Sequence, residues 1–206
     1  EENKTYSKIY ENENNFLIRE TWSKNGKLHR DDDLPAYIEY YGNESKMEEM
    51  WYRNGKSYRE NDLPSWIKYY ENGNIEEELW IVDINLHRNN NLPAEIRYYE
   101  NGNKKEESWF PEPCHCYHEG DLPAVINYYE NGNKSCESWV SKTKCRHRDN
   151  DLPAWIEYYE NGNKKKEVWY SCNQRHREAN LPAFITYTKT GEIKDRHYYL
   201  NGERIA

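Results

Sequence analysis

Aliphatic residues are scarce in this chain of 206 residues. Only 35% of it is hydrophobic, Phe and Met number 3 and 2, and the mean hydropathy is −1.32. That excludes a thick aliphatic core and approaches the composition of disordered segments. No apolar run is long enough to cross a bilayer, and no signal-peptide pattern is present. Excess positive charge is also missing. Lys and Arg total 29 against 37 Asp and Glu, a net charge of −8. Affinity for nucleic acid comes mainly from cations on phosphates, so that partner is excluded. The five cysteines are an odd number, and Cys114, Cys116, Cys136, Cys145 and Cys172 all fall in the second half. A secreted array stapled by disulfides would carry them in every unit, so a reducing, intracellular setting is expected.

What the chain does have is 20 Tyr and 8 Trp, arranged periodically. Such rings bury large area while scoring as polar. Leu-Pro recurs at Leu34, Leu63, Leu92, Leu122, Leu152 and Leu181, in steps of 29 or 30 residues. Trp22, Trp51, Trp80, Trp109, Trp139 and Trp169 form a second marker with the same period, and Tyr198 takes the place at the end. Two independent markers on one period define a tandem repeat.

After each Leu-Pro the sequence alternates. Ile38, Ile67, Ile96, Ile126, Ile156 and Ile185 fill one column, Tyr40, Tyr69, Tyr98, Tyr128, Tyr158 and Tyr187 the column two residues on, with polar residues between. Period two with β-branched and aromatic residues on one face predicts a strand. Glu-Asn-Gly-Asn follows, with Asn72-Gly73, Asn101-Gly102, Asn131-Gly132 and Asn161-Gly162 expected to form hairpin turns in which both residues take positive φ. A charged strand leads to the marker Trp. A second turn comes next, clear at Asn25-Gly26, Asn54-Gly55 and Asn201-Gly202 and drifted at Pro111-Glu112-Pro113. The expected organisation is a single array over 1–206. In it, 1–22 form a half-unit cap with a looser turn at Glu11 to Asn15, 23–182 the central repeats, and 183–206 a hairpin cap.

The Tyr-Tyr-Glu-Asn-Gly-Asn and Trp-Tyr-Arg-Asn-Gly-Lys segments resemble the MORN repeat family, closest to its variant form in bacterial antitoxin-like proteins and large DNA viruses. The resemblance covers nearly the whole chain. It implies an all-β, elongated, twisted array of antiparallel hairpins used as a binding or assembly scaffold without a common catalytic site. Two departures matter: the Leu-Pro insert lengthens the unit, and Arg replaces the glycine after the family's Leu-His. The lipid and kinase functions of some members are therefore not carried over.

His29, His87, His147 and His176 share a slot with Tyr58 and Tyr117, which marks a ring that makes hydrogen bonds rather than a proton shuttle. The glutamates two residues before the marker, Glu78 among them, would repel along a sheet unless matched. The column of Arg30, Arg59, Arg88, Arg148 and Arg177 is the regular cationic one, so a Glu–Arg ladder is expected, with Glu78 and Arg88 as its test pair. Cys114-His115-Cys116-x-His118 lacks a second ligand pair, and Asp31-Asp32-Asp33 and Asp149-Asn150-Asp151 lack the spacing of a calcium loop. Neither metal nor cofactor is expected. One column varies while staying mostly aromatic: Tyr37, Trp66, Glu95, Val125, Trp155 and Phe184. Tyr37, Trp66, Trp155 and Phe184 are the candidate binding residues. The marker tryptophans Trp22, Trp51, Trp80, Trp109, Trp139 and Trp169 are structural candidates.

Every His, Glu and Asp able to do chemistry is a repeated slot, and catalysis needs a unique constellation. The expected function is a non-catalytic scaffold whose partner is a protein or larger assembly. A structural component of a virion or other large particle, and an antitoxin- or immunity-like binder, are the alternatives.

Overall fold

A computed structural model describes residues 3–10, 16–110 and 121–205. The turn expected at 11–15, the Pro111-Glu112-Pro113 turn and the Cys114-His115-Cys116-x-His118 motif lie outside the described residues. The fold is all-β and antiparallel, as the alternation requires. It comprises two compact units, Glu1–Arg88 with Ala94–Asn103, and Asn89–Pro93 with Lys104–Ala206.

In the first unit the strands follow chain order: Lys4–Tyr10, Leu17–Lys24, Tyr37–Tyr40, Lys46–Met50, Trp66–Tyr69, Ile75–Leu79 and Glu95–Tyr98. In the second they are Lys104–Ser108, Val125–Tyr128, Lys134–Ser138, Trp155–Tyr158, Lys164–Val168, Phe184–Tyr187 and Ile193–His197. Each repeat therefore gives the sheet a short Ile strand and a five-residue charged strand. A two-residue-per-arm hairpin follows the charged strand, as at Tyr52–Arg53 with Lys56–Ser57 and Tyr170–Ser171 with Gln174–Arg175.

The two kinds of turn differ. Asn25-Gly26, Asn54-Gly55 and Asn201-Gly202 all take positive φ at both residues, the mirror-image turn that suits a two-residue hairpin. At the Glu-Asn-Gly-Asn tips only the glycine does: Gly73 has φ 87, while Asn72 is not left-handed. The Gly73 amide bonds the Tyr70 carbonyl, and the register slips between Lys68 and Tyr69. This is an ordinary turn closed by a glycine bulge, not the expected paired positive-φ turn. The physical reason is length: five residues from Tyr70 to Asn74 close this hairpin, and the added residue absorbs the twist. The first tip has the same geometry with Glu44 in the left-handed position, at φ 66.

The core is one side chain thick. Ala154, Ile156 and Trp139 pack together against Tyr158 and Tyr170, and Ala183, Ile185 and Trp169 pack likewise against Tyr187 and Tyr199. Trp139 and Trp169 thus cover the Ala and Ile of the following strand. Their amides bond the alanine carbonyls, Trp139 to Ala154 and Trp169 to Ala183, both at 2.9 Å.

Candidate binding surface

The charged columns come first, because they decide what remains for a partner. The cross-strand register sets Glu20 opposite Ile38, Ile38 opposite Glu49, and Glu49 opposite Ile67. An isoleucine therefore separates successive glutamates, which lie two strands and roughly 10 Å apart. Glu49 and Glu137 are buried and Glu78 half-buried, and each takes a tyrosine hydroxyl from the next repeat: Tyr69 to Glu49 and Tyr98 to Glu78 at 2.6 Å, Tyr158 to Glu137 at 2.5 Å. Lysines three residues earlier bind the other oxygen, Lys46 on Glu49 at 2.7 Å and Lys164 on Glu167 at 2.6 Å. Burial, then the bond to Glu20, pushes the Tyr40 hydroxyl up to about 12. Burial and the Glu137 bond raise Tyr158 as well, so both stay protonated donors.

The Glu–Arg ladder is accordingly replaced. Glu78 accepts from Tyr98, and Arg88 grips Asp62, with Nε at 3.1 and 3.0 Å from the two carboxylate oxygens and Nη2 at 2.8 Å. Its guanidinium carbon lies 3.8 Å from the Trp80 ring centroid. Arg59, Arg148 and Arg177 repeat this, whereas Arg30 shares only the stacking of these two contacts, on Trp22. Arg59 sits 3.8 Å from Trp51 and 3.3 Å from Asp33, and Arg177 sits 3.9 Å from Trp169 with two bonds to Asp151 at 2.9 Å. The guanidinium also donates to the proline carbonyl of its own Leu-Pro, Pro64 at 3.1 Å from Arg59 and Pro182 at 3.2 Å from Arg177. The Trp51 and Trp169 indoles donate to the carbonyls of Asp33 and Asp151 at 3.0 and 2.9 Å. Each Trp–Arg pair thus staples two successive Leu-Pro turns. The Asx residues those staples hold, Asp33, Asp62 and Asp151, all take positive φ.

The histidine slot is bonded as well. His29 Nδ1 accepts the Asn54 amide at 3.1 Å, which leaves its Nε2–H to donate to Asp31 at 3.0 Å. His176 does the same with Asn201 and Glu178. The second tyrosine of each pair had no expected role. Tyr41, Tyr70, Tyr129 and Tyr159 donate to backbone carbonyls one repeat on, Tyr70 to Tyr98 at 2.8 Å and Tyr159 to Tyr187 at 2.8 Å. The Asx-rich tips zip beside them, Asn74 onto the Glu100 carbonyl at 2.7 Å. Repetition of the Tyr-Tyr pair, broken only at Tyr187-Thr188, was the available signal.

The variable aromatic column occupies one transverse row in each unit. Tyr37, Met50, Trp66 and Leu79 are successive partners in the first, Trp155, Val168 and Phe184 in the second. All four candidate aromatics are half-buried. Tyr37 donates to Glu39, Trp66 to Glu48 and Trp155 to Glu157, each at 3.0 Å. Arg146 lies over Trp155 at 4.4 Å and Arg175 over Phe184 at 5.3 Å. The row is thus partly covered by its own neighbours.

No protein-family model, curated protein or solved structure matches this chain.

What repeats and stays uncovered lies along the Leu-Pro turns. Their leucines are between 36% and 54% exposed, whereas the Ile, Ala and Trp of the same repeats are mostly buried. Beside them lie equivalent clefts. One of about 240 Å³ is bounded by Asp33, Leu34, Trp51, Tyr58 and Arg59, and one of about 610 Å³ by Leu122, Trp139, His147 and Arg148. Charges of both signs edge both, Asp32, Glu60 and Arg53 in the first, Asp121, Asp149 and Lys142 in the second. Among the described residues no group of three or more His, Cys, Asp or Glu could hold a metal, and no helix is long and apolar enough to cross a membrane.

Proposed function

We propose that this chain is a MORN-type, non-catalytic scaffold for protein–protein interaction or assembly, engaging its partner along the Leu-Pro turns. The observation that carries the reading is the serial exposure of the Leu-Pro leucines beside clefts, in repeats whose Ile and Ala columns are spent on packing. Repeated apolar anchors beside clefts edged by both signs of charge suit an extended partner segment that carries apolar side chains at the repeat spacing. The columns able to do chemistry support the same reading from the other side. The Glu, Arg and His slots described above are held in bonds between neighbouring repeats. The net charge of −8 favours the antitoxin-like version of the scaffold, a binder that masks a basic partner.

The test is affinity capture of partners from the cells or particles of origin. The bait is the full chain and two variants, Leu63→Glu with Leu152→Glu, and Trp66→Ala with Trp155→Ala. The leucine variant is expected to lose the specific partner and the tryptophan variant to keep it. Retention by the leucine variant and loss by the tryptophan variant would move the site to the aromatic row. An unchanged partner set in both would remove both surfaces.

A further inference from the structure

The hairpin after Trp139 differs from the others. Its outer pair is Val140 with Arg146, one residue more than Tyr52 with Ser57, and the inserted residue gives this repeat its 30-residue step. Lys144 takes φ 64 to close it. The longer turn sets Cys145 against the next repeat's hairpin, which turns on Cys172 and Asn173 at φ 44 and 70. The backbones are fixed there, since the Asn173 amide bonds the Arg146 carbonyl at 3.1 Å and the Arg146 amide bonds Asn173 Oδ1 at 2.7 Å. Cys145 is buried with the Ser141 and Thr143 hydroxyls each 3.2 Å from its Sγ, and the two Arg146–Asn173 bonds, each one residue on, bring Cys172 alongside it. Cys172 is exposed.

We propose that Cys145 and Cys172 are a peroxide-reactive dithiol that closes into a disulfide between neighbouring repeats. The Cys145 thiolate attacks one oxygen of hydrogen peroxide. The O–O bond breaks, Cys145 becomes a sulfenic acid, and the leaving hydroxide takes up a proton to become water. The Cys172 sulfur then attacks Cys145 Sγ, the S–O bond breaks, and the sulfenic oxygen leaves as a second water carrying the Cys172 proton. Two thiols are oxidised by two electrons, and one peroxide is reduced to two waters.

Burial works against the Cys145 thiolate. The bonds from Cys172, Ser141 and Thr143 and the nearby His147 outweigh it and hold the thiol below its ordinary range. Cys172 is pushed up by the same contact, so Cys145 is the thiol of the pair that ionises first. Cys136 is the internal contrast. It is buried without such donors, and burial followed by the Glu157 charge raises it to about 12. The small exposure of Cys145 selects an oxidant no larger than a peroxide.

The test treats the reduced full-length protein with equimolar hydrogen peroxide, then maps blocked and linked peptides by mass. A Cys145–Cys172 peptide is expected as the main product, with Cys136 still reduced. In Cys172→Ser the oxidation should stop at Cys145 as a gain of one oxygen. In Cys145→Ser the oxidation of Cys172 should slow by roughly ten-fold. A main product linking either residue to Cys114 or Cys116 would overturn the assignment. So would Cys172 reacting at an unchanged rate in Cys145→Ser, or Cys145 remaining reduced.

Discussion

Arg88 separates the two possible ionic architectures of this repeat, because a coupling energy distinguishes them without depending on either single loss. The guanidinium grips Asp62 with two nitrogens and lies 3.8 Å from the Trp80 ring centroid, while Glu78 takes its bond from Tyr98. Arg88 is 14% exposed and Asp62 45%. An exposed ion pair contributes about 0.2–1 kcal/mol, and the two-nitrogen grip with a nearly buried guanidinium places this one at the upper end. The stacking on Trp80 adds about 1 kcal/mol. Arg88→Gln should therefore cost about 2 kcal/mol. Asp62→Asn should cost about 1 kcal/mol, since Asn tolerates the left-handed φ of 55 at that position.

The coupling between the two substitutions should be about 1 kcal/mol. The pair Arg88→Gln and Glu78→Gln should be additive within about 0.5 kcal/mol. Arrays of repeats can depart from two-state unfolding, so the urea transition by Trp fluorescence should be paired with amide exchange at Trp80, whose N–H bonds the Ala94 carbonyl at 2.9 Å. Raising the salt to roughly 1 M should shrink the Arg88–Asp62 coupling, because Asp62 is half exposed. A coupling between Arg88 and Glu78 as large as that with Asp62 would refute the staple.

Three further outcomes follow from the same geometry. Glu48 is pushed up by burial, against the Trp66 bond and with the Glu39 charge opposite it. The folded state thus binds its proton more tightly than the unfolded chain, so ionising Glu48 costs stability. Glu48→Gln should gain about 0.5–1 kcal/mol at pH 7, and the gain should vanish below roughly pH 4, as urea midpoints across that range would show. At the hairpin tips, Glu44→Gly should add about 0.5–1 kcal/mol of stability, read as a higher urea midpoint. Gly132→Ala should cost about 1 kcal/mol of stability, since φ 86 is its only obstacle and open space surrounds the added methyl. Tyr159→Phe should cost about 1 kcal/mol and speed amide exchange at the 159–163 tip, through loss of the bond to the Tyr187 carbonyl.

The parts of this fold legible in the sequence are those that act within a few residues. Ile-x-Tyr alternation specifies a strand face, and Asn54-Gly55 specifies its turn. The same reasoning misread Asn72-Gly73, because the turn class depends on whether four or five residues close the hairpin, and that is settled by pairing. Partners of Arg88 and Glu78 were out of reach for a related reason. Both columns repeat with the same period, so spacing alone leaves every Arg-to-acid combination open. The choice is made by a register joining residues 26 apart for Arg88 and Asp62 and 20 apart for Tyr98 and Glu78. The exposure of Leu34 and its equivalents was hidden by composition, since a regular leucine column reads as core until the Trp–Arg staple is seen to occupy that role.

The scarcity of aliphatic residues and the burial of glutamate have one explanation. An array of near-identical strands with isoleucine alone on its inner face could slip by two residues and keep the same side inward. Alternating Ile with Glu along each row removes that freedom. A two-residue slip would carry Glu137 out of reach of the Tyr158 hydroxyl, leaving a buried carboxylate with only Lys134 of its own strand for a partner. Tyrosine suits the companion slot because its ring supplies apolar area and its hydroxyl supplies the donor. The Trp–Arg–Asp staple does the same between turns, tying each repeat to the one before it through the Asx carboxylate. Register is thus written in polar bonds that form only in alignment, and the low hydropathy of the chain is the composition such a design requires.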